Sequence, residues 1–203
     1  MELIVRIAAE LQETLEAAEL PFCFIGGVAV QRWGRTRVTR DVDGVIFTGL
    51  GNEQPVFDLL LNRYQPRRED IRQWAIDTRV LLLERDPPGV GVDISLGSLD
   101  FEHRAVARST YEPYTNETQL RVCSASDLVV YKAFAGRPQD WEDIKGILAR
   151  SPEHLDFTLI ESELEIIADL AEDDTPLREL AEVRNHIDRH RPPPTSRGNE
   201  DRG

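Results

Sequence analysis

Two aspartates, Asp41 and Asp43, stand one residue apart in the otherwise apolar segment "RDVDGVIF". In an extended strand, residues i and i+2 project from one face and the residue between them from the other. The two carboxylates would stand side by side, with Val42 buried behind them. Such a pair is either exposed to water or grips a cation through hard oxygen ligands. Two divalent ions about 3.5–4 Å apart are the usual arrangement for in-line phosphoryl displacement. The pair alone decides nothing, because about one D-x-D is expected by chance at this aspartate content, and a solvated strand edge is the simpler reading.

Three neighbours add weight. Gly26-Gly27 ends the apolar run "FCFI" and opens a short helical stretch, where glycine lets backbone approach a ligand and a helix start offers free N–H groups to phosphate. An ordinary tight turn is the alternative. Asp93, in "GVDIS", lies between Val92 and Ile94, so its carboxylate faces away from two core positions. Burying it unpaired would be costly, and a shared cation with Asp41 and Asp43 removes that cost. Arg35, Arg37 and Arg40 precede the aspartates closely enough to balance their charge or to touch a triphosphate, with surface salt bridges as the alternative.

In this order the motifs resemble the nucleotidyltransferase superfamily that shares the DNA polymerase β palm. The spacing R-x-T-x-D-x-D, at Arg37, Thr39, Asp41 and Asp43, is most similar to the AbiEii/AbiGii toxin-type branch and its minimal relatives. The later segment "DLVVYKAFAGRPQDWEDI" is similar to that branch's helical motif, with Lys132, Arg137, Asp140 and Asp143 in matching places. The likeness covers roughly residues 22 to 145. Gly26-Gly27 stands where many superfamily members carry Gly-Ser, and Gly44 where a larger apolar residue is more usual.

The resemblance implies a metal-dependent enzyme that moves a nucleoside monophosphate from a triphosphate such as ATP to an acceptor hydroxyl and releases pyrophosphate. It implies that Asp41 and Asp43 bind Mg²⁺ or Mn²⁺, and that Asp93 completes a second metal site and helps deprotonate the acceptor. Gly26 and Gly27 would donate to the β and γ phosphates. Arg37 and Thr39 would contact the nucleotide, Lys132 would stabilise the leaving group, and Asp140 would position Lys132. The acceptors it suggests first are macromolecular, a tRNA end or a protein side chain, with a cognate antitoxin as a partner of the toxin-type members; a small hydroxylated molecule such as an aminoglycoside is the alternative. A non-catalytic antitoxin or scaffold keeping the fold, and a metal-dependent phosphatase, are the rivals.

The elements that must hold these residues are legible in outline. Residues 2–19 have the apolar spacing of a helix closed by Pro21. "FCFI", "RDVDGVIF", "RVLLLER", "GVDISLG" and "QLRVCS" read as strands, the third and fourth joined by the turn signal "DPPG". A helix begins near Pro55. From Ser124 the character is helical: Ser124 and Asp127 form a capping pair, Gly136 marks a stop and Pro138 a new start. Two amphipathic helices follow, with Thr175 as a cap, and "RPPPTSRGNEDRG" reads as a disordered tail. This predicts an α+β protein: a mixed, palm-like sheet with flanking helices over residues 1–123, a helical segment over 124–190, and a tail over 191–203.

At 203 residues with 40% hydrophobic content the chain can bury a core. The net charge of −13 argues against a broad nucleic-acid-coating face, though Arg32, Arg35, Arg37 and Arg40, with Arg67, Arg68 and Arg72, offer a local basic patch. No apolar run is long enough to cross a bilayer, and the start lacks a signal peptide's pattern, so a cytoplasmic location is expected. Cys23 and Cys123 read as buried free thiols, Trp33, Trp74 and Trp141 as packing residues, and His186 with His190 as a solvated helix face.

Overall fold

The computed structural model describes residues 2–87 and 89–190; the segment 191–203 read as a tail lies outside the described residues. Seven strands form one mixed sheet. In chain order they are β1 (Phe22–Phe24), β2 (Asp41–Phe47), β3 (Gln65–Pro66), β4 (Val80–Arg85), β5 (Val90–Gly97), β6 (Thr110–Pro113) and β7 (Gln119–Val122). Across the sheet their order is β3-β4-β5-β2-β1-β7-β6. The pair that matters most is central: β2 runs parallel to β5, with Asp41 opposite Gly91 and Asp43 opposite Asp93.

Strand alternation explains this placement. Val42, Val92 and Ile94 are wholly buried on one face, which turns Asp41, Asp43 and Asp93 to the other. Gly44 sits among ordinary van der Waals neighbours, 3.5 Å from Ile94 at the position of an added Cβ, so nothing there demands glycine. Strands β4 and β5 pair antiparallel, from Val80 opposite Ser95 to Arg85 opposite Val90.

The helices include α1 (Glu2–Ala17), α2 (Gly26–Trp33), α3 (Gln54–Leu60), α4 (Ile71–Thr78) and α5 (Asp100–Ala107). After the sheet come α6 (Ala125–Ala135), α7 (Pro138–Arg150), α8 (Phe157–Ala171) and α9 (Thr175–His190). Helix α1 buries Ile4, Ile7, Leu11 and Leu15 along one stripe and lies against β2 and β7. Each such side chain contributes about 1.5–3 kcal/mol when fully buried. Helix α6 is bounded as its sequence dictates: Ser124 Oγ accepts from the Asp127 N–H, and Gly136 closes it in the left-handed conformation at φ 62°. At the start of α9 the Asp173 carboxylate accepts the Thr175 N–H at 2.9 Å, and the Thr175 hydroxyl, expected as the cap, accepts from the Arg178 guanidinium at 3.1 Å.

Helices α4 and α5, the β3 stub and strand β6 escape the sequence reading. Only Ile71 and Ala75 of α4 are buried, one apolar contact per turn among charged residues. Cys23 and Cys123 are buried free thiols, as expected, and burial pushes both well up from the ordinary thiol range. No described helix is long and apolar enough to cross a membrane.

Candidate active site

Helix α2 starts directly beneath the aspartates. Gly26 adopts φ +55°, a left-handed conformation that favours glycine, and a Cβ there would fall 2.2 Å from Asp43 Oδ2. The Gly27 N–H donates to the same oxygen at 3.2 Å. A Cβ on Gly27 would fall 2.1 Å from Thr39 Oγ1, so the Thr39 hydroxyl fills the space a side chain at 27 would need. The double glycine is thus required by close approach of two site residues, and Gly27 spends its N–H on Asp43.

The loop bearing Arg37 and Thr39 is clamped onto α7. Arg150 Nη1 donates to the Gly34 carbonyl at 2.6 Å, and Ser151 Oγ to the Trp33 carbonyl at 2.8 Å. A Cβ on Gly146 would lie 3.1 Å from the Arg35 backbone nitrogen, so a glycine inside α7 lets the loop cross it closely.

A second cluster sits beside the first. Lys132 Nζ, almost wholly buried, bridges Asp140 Oδ1 at 2.9 Å and Asp143 Oδ2 at 2.8 Å. Arg37 grips Asp143 with two parallel bonds of 2.9 and 3.0 Å, and Arg137 donates to Asp140 at 2.6 Å. Burial alone would raise the Asp140 carboxyl, but Arg137 and Lys132 outweigh it and hold it below the usual aspartate range. Asp143 is lowered in the same way by Arg37 and Lys132. The sequence reading gave Asp140 a place beside Lys132 and assigned Asp143 no task. The bidentate Arg37 pair spans 106 residues and has no local signal.

The strand aspartates are in the opposite condition. Burial lifts the Asp43 carboxyl above its ordinary range, and the charges of Asp93 and Asp41 add to the lift; the Gly27 N–H and the Lys132 charge pull against it. Burial also raises Asp93, with Asp41 adding to it, even though Arg67 donates to Asp93 Oδ1. Asp41 lies over Gly91, where a Cβ would meet its Oδ1 at 2.3 Å. This donor set of hard oxygens, its negative charge only partly offset by Arg67 and Lys132, suits a divalent cation. The present rotamers do not close around one: among the described residues no group of three or more His, Cys, Asp or Glu side chains is gathered into a ready cage.

The expected basic patch is largely spent. Arg32 pairs with Glu112, Arg37 with Asp143, Arg67 with Asp93, Arg68 with Asp70 and Arg72 with Asp58. Arg35 and Arg40 are exposed and make no ion pair among the described residues. Trp33 is buried and donates to the Cys123 carbonyl at 2.9 Å, while Trp74 and Trp141 are half-buried.

No protein-family model and no curated protein sequence matches the chain. Solved structures do. An antigenic nucleotidyltransferase-like protein from Paracoccidioides brasiliensis aligns with a TM-score of 0.55 at 16% identity, over 92% of this chain and 90% of that one. The antibiotic-resistance factor ANT(2'')-Ia aligns with a TM-score of 0.53 at 16% identity, over 92% and 97% of the two chains. At this identity the likeness is one of fold. The fold is nucleotidyltransferase-like, α+β with a mixed sheet.

Proposed function

We propose that the protein transfers a nucleoside monophosphate from a nucleoside triphosphate to an acceptor hydroxyl, with release of pyrophosphate. The observation that carries this reading is the register of β2 on β5, which sets Asp43 opposite Asp93 with Asp41 on the same face, above a glycine turn that opens a helix. Asp41 and Asp43 would hold a divalent cation, Mg²⁺ or Mn²⁺, and Asp93 would serve a second one. When bound, such a cation supplies charge neutralisation at the phosphates and polarises the reacting phosphorus.

The chain's own residues divide the remaining work. Asp93, whose carboxyl is raised, accepts the proton of the acceptor hydroxyl as its oxygen bonds to the α-phosphorus and the bond to the bridging oxygen breaks. Lys132 has three N–H donors and spends two on Asp140 and Asp143, leaving one for negative charge on the departing pyrophosphate. Arg37 and Thr39 lie on the clamped loop beside the aspartates and contact the triphosphate. Gly26 and Gly27 let Asp43 and Thr39 close onto the start of α2, which holds these two side chains where the triphosphate would lie.

Acceptor class follows from charge. With most of the nearby arginines paired to carboxylates and a net charge of −13, a polyanion is poorly served, which favours a small hydroxylated acceptor. A structural neighbour is an antibiotic-resistance factor, in keeping with that preference. The toxin-type reading, with a tRNA end or protein side chain as acceptor and a cognate antitoxin, is the second one; exposed Arg35 and Arg40 next to the aspartates favour it. Incubation with each α-labelled triphosphate, Mg²⁺ and panels of aminoglycosides, tRNA and protein separates the readings. Label on an acceptor, lost in Asp41→Asn, is expected. Phosphate release alone would point to a hydrolase, and no turnover with any panel to an interaction module.

A further inference from the structure

Arg67 enters the site from outside the motifs that define it. It follows β3, and its N–H donates to the Leu82 carbonyl at 3.1 Å. Leu82 is the register partner of Asp93 across β4 and β5. The Arg67 backbone is therefore fixed one strand away, and its side chain spans β4 to place Nη2 on Asp93 Oδ1. The hollow it enters exists because residue 91 is glycine: a Cβ there would lie 3.4 Å from Arg67 Nη1 and 2.3 Å from Asp41 Oδ1. One guanidinium thus lies against Asp93 and in the same hollow as the Asp41 carboxylate, where a cation would be held.

We propose that Arg67 is a tethered counter-ion that keeps Asp93 from a second divalent cation until a nucleoside triphosphate draws the guanidinium away. It is a positioning residue, and the inference rests on the reading of Asp41, Asp43 and Asp93 as cation ligands. The charge count supports it. With Arg67 in place the three carboxylates retain two net negative charges, which one divalent ion balances. A triphosphate brings more negative charge than Asp93, in oxygens that match the guanidinium fork. The pair is also free to open, since the side chains of Arg67 and Asp93 are 32% and 28% exposed. The Lys132 pairs, by contrast, are buried. The adjacent Arg68 is committed elsewhere, paired with Asp70 and stacked 4.1 Å over Trp74.

Counting bound Mn²⁺ by electron paramagnetic resonance on the full chain tests this without reference to turnover. The wild type should bind one Mn²⁺ alone and two with an α,β-methylene triphosphate. Arg67→Met should bind two without nucleotide, the second at least about tenfold tighter than in the wild type, because a unit positive charge has left the site. Two ions on the nucleotide-free wild type, or only one on a folded Arg67→Met, would overturn the proposal. Arg67→Gln gives the same comparison if the methionine variant loses its circular dichroism. Asp43→Asn separates the two levels. Full Mn²⁺ binding in that variant overturns the cation-site reading itself, whereas loss of binding there with an unchanged Arg67→Met overturns only the role of Arg67.

Discussion

Replacing Asp43 by asparagine should move stability in opposite directions with and without ligand. Asparagine keeps the shape and can still accept the Gly27 N–H that reaches Asp43 Oδ2 at 3.2 Å. What it removes is a charge that is desolvated and repelled by Asp93 and Asp41. Two like charges about 5 Å apart at an effective dielectric near 40 cost about 1.5 kcal/mol. Attraction to Lys132 and to the start of α2 returns part of this. The ligand-free variant should gain about 1 kcal/mol, or about 2–4 °C in Tm for a chain of this size. With Mg²⁺ and a non-hydrolysable triphosphate at about a hundredfold over Kd, the wild type should gain about 2.7 kcal/mol, or about 5–10 °C, and the variant little of it. The pH sign follows from the raised carboxyl. Its stabilising contribution is full below the unfolded value of 3.8 and is lost as pH rises through the folded one. The advantage of the ligand-free variant should therefore grow from acid to neutral pH. Melts by differential scanning fluorimetry read both effects. A lower ligand-free Tm would mean that Asp43 serves mainly to staple α2, and an equal ligand gain would mean that the cation binds elsewhere.

Gly26→Ala should lose about 2 kcal/mol in urea denaturation, from forcing a Cβ into φ +55°, and its added atom should displace the Asp43 carboxylate and blunt the Mg²⁺-dependent rise in Tm. Lys132→Met leaves buried Asp140 and Asp143 with arginine as their charged partner, Asp143 keeping Gln139 Nε2 as well, and should cost about 2–3 kcal/mol, less than a fully broken buried pair. The same carboxylates govern the acid limb: their lowered values give stability that is full above the unfolded 3.8 and lost as pH falls through the folded values. In Lys132→Met acid unfolding should begin at higher pH, whereas Asp58→Asn, which breaks the exposed Arg72 pair, should change stability by less than about 1 kcal/mol.

Strands β1, β2, β4, β5 and β7 and the three aspartates were legible because period-two alternation is local: Val42 between Asp41 and Asp43, and Val92 and Ile94 around Asp93, state their faces within a few residues. The caps of α6 were legible for the same reason. What escaped is non-local. Nothing near Arg37 announces Asp143, and nothing near Arg67 announces Asp93, since both pairs are made by sheet order and helix packing. Counting arginines near the aspartates suggested a basic patch, because sequence proximity does not reveal that Glu112, Asp70 and Asp58 neutralise three of them. Gly146, read only as part of a helix, carried a signal after all: a glycine inside α7 marks where the site loop crosses.

The buried acids and the strand aspartates differ in the partners the fold gives them. Asp127, wholly buried, accepts from Ser124 and from two nitrogens of Arg108, and Glu163 accepts from Arg104 and Arg108. Asp140 and Asp143 each hold Lys132 and an arginine. Wherever a buried acid only has to fold, this chain surrounds it with charged donors, as the cost of an unpaired buried charge requires. Asp43, only half-buried, departs from that habit: among the described residues the hydrogen bond it accepts is from a neutral backbone N–H, with two further carboxylates sharing its face. Lys132 stands close enough to pull on Asp43, yet two other acids already hold it. A fold that supplies counter-charges so consistently elsewhere, and leaves this face under-neutralised, supports the proposal that a cation from solution binds here.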